Sequence, residues 1–224
     1  MHTSIRILFS FALIFAAHAA EKVESKAADA SLAKVAPLPA PQPRGLFLKK
    51  GDRLAIVGDS ITEQKKYSRM IETYLTVCTP ELGVTARQYG WSGERVPGFL
   101  SRMTNDCLRF HPTVATTCYG MNDHEYRIYE ERIGTTYRQK SEAMVRAFKD
   151  NGVRVVLGSP GCVGKIPGWV KGTNGTVDDL NANLCTLRNI DIELAAREKV
   201  RFADVFLPML NAGFEARHRY GPDY

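Results

Sequence analysis

The sequence predicts an α/β fold built on a mainly parallel, doubly wound sheet, and two observations carry that prediction. From about Leu46 onward, apolar or β-branched runs of strand length alternate with longer stretches of helical period. Most of those runs are nearly continuous in apolar residues rather than alternating, which is how strands covered on both faces read.

Strands are expected at Arg53–Val57, Val84–Tyr89, Thr113–Tyr119, Arg154–Leu157 and Arg201–Phe206. Between the first two, Tyr67, Met70, Ile71, Tyr74, Leu75 and Cys78 follow the i, i+3, i+4, i+7 spacing that gives a helix one apolar face. Further helices fit Val96–Phe110, Glu130–Asp150 closed by Gly152, and Asp178–Lys199, where Leu180, Leu184, Leu187, Ile190 and Leu194 share a face. The order β-α-β-α-β-α-β-α-β implies right-handed crossovers with helices on both faces of the sheet. In such a sheet ligands bind outside the carboxyl ends of the strands, so a chemically active residue should lie just after one.

Ahead of this domain, Arg6, the apolar stretch Ile7–Ala17 and then Ala17-His18-Ala19 form a secretory signal-peptide pattern over residues 1–19, so export to the periplasm or the outside is expected. The run is shorter than the roughly 20 residues a permanent span needs, so no stable membrane anchor is expected. Residues 20–45 are rich in Ala, Lys and Glu and then punctuated by Pro37, Pro39, Pro41 and Pro43, a composition that reads as an extended tether. One domain over residues 46–224 remains, and 44% hydrophobic composition suffices for its core. Of the net charge of +6, the first 45 residues supply +2, from five Lys/Arg against three Asp/Glu. The other +4 is spread without basic runs interleaved with aromatics, which argues against a nucleic-acid partner. Five cysteines are an odd number, so at least one is unpaired within the chain, and Cys118, inside an apolar strand pattern, is the expected free one. Spacing of the CxxC kind is absent, and neither a metal nor a cofactor is expected.

Three short motifs fall directly after strands. Gly58-Asp59-Ser60-Ile61-Thr62 puts a serine at a strand's carboxyl end and at the entrance to a helix, where its hydroxyl can face the cleft and its N–H an attacked carbonyl; a helix N-cap serine fits the same place. Gly90-Trp91-Ser92-Gly93-Glu94 follows the second strand, and its glycines read either as close backbone approach to a substrate or as ordinary loop glycines. Gly120-Met121-Asn122-Asp123 ends the third strand and offers a neutral amide, a good donor to an oxyanion, although an Asx turn is the alternative.

Together, Gly58-Asp59-Ser60, Gly93 and Gly120-x-Asn122-Asp123 resemble, in order and approximate spacing, the first three blocks of the SGNH/GDSL hydrolase family. The resemblance implies a flavodoxin-like, three-layer α/β/α fold with a five-stranded parallel sheet. It also implies a serine ester hydrolase working through an acyl-enzyme, with Ser60 as nucleophile and the N–H groups of Ser60 and Gly93 and the Asn122 amide as oxyanion hole. Asp59, Asp123 and Trp169, the last in the Gly- and Pro-rich stretch Gly158–Thr176, are candidates for substrate contact, although for the two aspartates a bracing role in their turns is the stronger reading.

The family's fourth block, Asp-x-x-His, is not found: His111 precedes the third strand, and neither His124 nor His218 has an aspartate three residues before it. The domain is therefore expected to be C-terminally incomplete, with the activating histidine beyond residue 224 and the chain nearly inactive without it. The rival expectation is a non-catalytic, carbohydrate-binding relative that lost its histidine. No Gly-x-Ser-x-Gly, Gly-x-Gly-x-x-Gly or Walker-type loop occurs in support of another enzyme class. Deacetylation of an extracellular polysaccharide is the favoured activity, with short-chain esterase and lysophospholipase activities close behind.

Overall fold

A computed structural model describes residues 33–42 and 45–221. The strands β1 (Arg53–Gly58), β2 (Thr85–Gln88), β3 (Val114–Cys118), β4 (Arg154–Gly158) and β5 (Arg201–Ala203) form one parallel sheet in the order β2-β1-β3-β4-β5. Gly58 pairs with Cys118, Cys118 with Gly158 and Gly158 with Ala203, so the carboxyl ends of four strands lie in register along one edge. The helices are α1 (Ser60–Glu63), α2 (Lys66–Cys78), α3 (Val96–Asp106), α4 (Glu131–Asp150), α5 (Val177–Glu198) and α6 (Phe206–Tyr220).

Right-handed crossovers place the helices, because the step from β1 to β2 runs opposite to all later steps along the sheet. One face of the sheet (Ala55, Val57, Ala115, Val155, Leu157) is accordingly buried under α3, α4 and α5, through residues such as Phe99, Phe148 and Leu194. Each such fully buried large side chain contributes about 1.5–3 kcal/mol. The opposite face (Leu54, Ile56, Val114) meets α2 through Leu75. A second small core joins α5 and α6 through Leu184, Phe206 and Leu210.

The five-stranded parallel α/β architecture expected from the sequence is thus present, with four local differences. The helix expected to reach Phe110 stops at Asp106, because His111 takes a left-handed conformation (φ 51°) before Pro112 and a 3-10 turn, Leu108–Phe110, carries the chain there. The last strand, expected to reach Phe206, ends at Ala203. There the Ser159 hydroxyl accepts the N–H groups of Val205 and Phe206 at 2.9 and 3.0 Å and turns the chain into α6. On α2 the expected apolar face buries only Leu75, leaving Met70 73% and Tyr74 61% exposed. Finally, all five cysteines are free, so Cys118 is not singled out, and it is only partly buried.

Of the expected tether, residues 33–42 run along α5 and are held there. Asn189 accepts the Leu38 N–H at 2.9 Å and donates to the Ala36 carbonyl at 2.8 Å, while the buried Arg188 donates to the Leu38 carbonyl. The expected signal peptide, and residues 20–32 and 43–44 of the tether, lie outside the described residues.

Candidate active site

Three loops meet at the carboxyl edge of the sheet. The first leaves β1 and enters α1, with Asp59 as N-cap accepting the Ile61 N–H at 3.0 Å and Ser60 as the first helical residue. The second leaves β2. Its Trp91 N–H donates to the Gly58 carbonyl at 3.2 Å, and a Cβ at Gly90 would stand 2.2 Å from the Glu63 nitrogen, so only glycine lets this loop lie against α1. The loop then turns at Gly93, whose φ of +71° favours glycine. From the third loop, after β3, Asn122 donates from Nδ2 to the Glu94 carbonyl at 3.0 Å and, more weakly, to Asp59 Oδ2 at 3.4 Å. One amide side chain therefore ties the segments carrying Ser60, Gly93 and Asn122 to one another.

This convergence is the geometry that the family's sequence blocks demand, and the family model described as GDSL-like lipase/acylhydrolase matches residues 56–224. The chain belongs to the GDSL-like lipase/acylhydrolase family. Its members are carboxylic ester hydrolases, and the solved structures it resembles agree in fold. A tryptophan-to-isoleucine variant of an acetyl-xylooligosaccharide esterase from Geobacillus stearothermophilus is 16% identical with a TM-score of 0.63, over 75% of this chain and 82% of that one. An acetyl xylan esterase is 18% identical with a TM-score of 0.60, over 76% and 85%. A gut microbial diltiazem-metabolizing enzyme is 23% identical with a TM-score of 0.66, over 84% of this chain but only 42% of its own length. In the Geobacillus enzyme the substitutions described as catalytic fall on a serine, an aspartate and a histidine. Comparison of the sequence with curated proteins finds no match.

Within this GDSL-like site the polar residues divide into buried braces and exposed groups. Asp123, a candidate for substrate contact, is 8% exposed, and its two oxygens accept the N–H groups of Val96 and Gly120, each at 3.1 Å. Asp59, 2% exposed, is occupied by Ile61 and Asn122. Neither carboxylate is open to a substrate; both brace backbone turns. Burial pushes each up to about 6, against the backbone N–H bonds that favour the charged form. Trp169, by contrast, stands 66% exposed, its ring edge-on to Tyr126 at 4.9 Å.

His124 lies at this edge but fully buried, its ring tilted 54° against that of Tyr126 with centroids 4.5 Å apart, and with Nδ1 bonded to the Met121 carbonyl. Burial lowers it to about 4, and its Nε2 has no partner among the described residues. No hydrogen bond joins it, or any other histidine among the described residues, to the Ser60 hydroxyl. His111 sits at the other end of the sheet, ahead of β3, and His218 is exposed in the last turn of α6.

Two parts of this site have no sequence signature. Glu94, whose carbonyl receives Asn122, is fixed by a bidentate Arg102 at 2.6 and 2.7 Å and by the Tyr119 hydroxyl at 2.6 Å, partners 8 and 25 residues away. Glu125 and Tyr126 are consecutive non-glycine residues with left-handed φ of 58° and 53°. That backbone is held by Arg95 and Arg132 on the Glu125 carboxylate, which they lower to about 2, and by the Thr173 hydroxyl donating to the Tyr126 carbonyl at 2.6 Å. Strain of this kind, about 1–3 kcal/mol per residue, concentrates at functional sites. Here it aims the Tyr126 hydroxyl at Asn122 Oδ1, 3.5 Å away.

Proposed function

We propose that this chain is an exported esterase removing acetyl groups from carbohydrate, with Ser60 as nucleophile. The observation that carries the reading is the Asn122 amide, held between the Glu94 carbonyl and Asp59 beside Ser60. Ser60 Oγ attacks the acyl carbon and loses its proton to a general base, a role that none of the histidines among the described residues is placed to fill. The charge that develops on the carbonyl oxygen is met by the N–H groups of Ser60 and Gly93 and by the Asn122 amide, whose longer bond to Asp59 is the cheaper one to exchange. The sugar leaves as alcohol, taking up the proton, and water then releases acetate from the serine. Support for the substrate comes from the neighbours described as acetylxylan and acetyl-xylooligosaccharide esterases. Support for export comes from the pattern around Arg6, Ile7–Ala17 and Ala17-His18-Ala19.

The buried His124, tied to a backbone carbonyl, is assigned no proton transfer. The absence of an imidazole on Ser60 among the described residues favours a second reading, a non-catalytic carbohydrate-binding member of the family. Acetate release from acetylated xylan, measured with imidazole supplied as the base for the chain and for Ser60→Ala, separates the two. The esterase reading expects at least a roughly 100-fold loss in the variant. Equal rates would leave the binding reading.

A further inference from the structure

The chain contains two tryptophans, and both are exposed at the carboxyl edge: Trp91 at 60% on the loop after β2 and Trp169 at 66% on the loop after β4. The strands carrying Ser60 and Asn122, β1 and β3, lie between those two loops. Three strand spacings, about 14 Å, therefore separate the strands that present the rings, with the nucleophile between them.

Both rings are built into the site rather than stranded on the surface. Trp91 is fixed by its backbone bond to Gly58 and lies 5.6 Å from the Arg102 guanidinium. Trp169 rests on Tyr126, and its loop is pinned by Thr173 to the Tyr126 carbonyl and by Asn174, which accepts the Ile128 N–H at 3.1 Å. Each indole is thus coupled to a different arm of the oxyanion hole, Trp91 to the Gly93 loop and Trp169, through Tyr126, to Asn122.

We infer that Trp91 and Trp169 are two stacking platforms for an extended polysaccharide, which lies across the sheet edge with an internal, ester-bearing residue over Ser60. The ligand chemistry follows from the surroundings. The rings are separate apolar faces, and Tyr126, between Trp169 and Asn122, is flanked by the charged Glu125, Arg95 and Arg132. A pyranose chain, with C–H faces bordered by hydroxyls, matches that alternation, and an indole offers an apolar face with a polar N–H. A lipid acyl chain needs a continuous apolar trough. An apolar cleft among the described residues lies instead beside α2, between Tyr74 and the early strand residues Leu54 and Val114.

The inference rests on the carbohydrate esterase reading but is tested by binding alone. Calorimetric titration with deacetylated xylohexaose and xylobiose uses no turnover. The hexaose is expected to bind at least about tenfold more tightly than the biose, and Trp91→Ala and Trp169→Ala are each expected to weaken hexaose binding about tenfold. Trp→Phe at either position should restore most of it, and Met70→Gln, in the cleft beside α2, should leave it unchanged. Absence of saturable binding, equal affinity for the two sugars, or a loss in only one of the two Ala variants overturns the two-platform mode. Hexaose binding by a chain that does not release acetate would sink the esterase reading and leave the platforms standing; acetate release without hexaose binding would do the reverse.

Discussion

The two faces of the sheet are made from the same strands yet end in different states. Along β1 the alternating residues Ala55 and Val57 face one way and Leu54 and Ile56 the other, all apolar. On the first face three helices close a continuous core in which Phe99, Phe148, Leu187 and Leu194 are fully buried. On the second a single long helix, α2, covers only part of the sheet. Thr116 and Val156 of the central strands stay partly exposed beside a cleft of about 470 Å³. Crossover handedness is the cause, since three of the four β-to-β steps move in one direction and deliver their helices to one side. Strand composition sets what a face could bury, whereas connectivity sets what it does bury.

The largest effect should come from breaking the closed face. Phe148→Ala leaves a cavity under α4 and is expected to cost about 3–5 kcal/mol in denaturant unfolding. A loss below about 1 kcal/mol would show that this face is looser than its burial implies. Next comes the edge shared by both faces, where acid should act through His124. Its imidazole is held near 4 in the fold against a usual 6.5, so the unfolded chain binds the extra proton between those values. Stability from this group is complete above about pH 6.5 and falls as the pH drops to 4, by up to about 3 kcal/mol. Asp59 and Asp123, raised to about 6, work in the opposite sense, losing stability as pH rises from about 4 to 6. The measurement is therefore the difference in unfolding free energy between the chain and His124→Phe at pH 4.5 and pH 7. An unchanged difference would refute the assignment. On the open face Leu75→Ala should cost about 2 kcal/mol, the low end for a core leucine, because the site borders the cleft and can relax.

The same contrast explains what was legible in the sequence. Strand positions are readable because two-sided burial leaves an apolar run, and the serine, glycine and asparagine that line the carboxyl edge are readable because each follows a strand directly. The fate of α2 is not, because an apolar stripe such as Met70-Tyr74 records what a helix could bury and carries no information about whether anything faces it. The bracing of Glu94 by Arg102 and Tyr119 is equally silent, since it joins residues whose separation matches no local period. Asp59 and Asp123 read as turn braces from their motifs alone, and folding adds the long-range partner, the Val96 N–H that Asp123 accepts from 27 residues away.

The smallest stability effect should come from the exposed stripe itself, and it sharpens the contrast most. Met70 and Tyr74 are 73% and 61% exposed, so replacing both by glutamine removes little burial and should change unfolding free energy by no more than about 0.5 kcal/mol per site. The same double substitution takes two apolar walls from the cleft beside Leu54 and Val114, so binding of an apolar fluorescent dye should fall several-fold. Stability that stays level while dye binding drops is the signature of a face that is apolar but uncovered. A stability loss as large as that of Leu75→Ala would mean instead that Met70 and Tyr74 are covered in solution, and that the second face is closed as fully as the first.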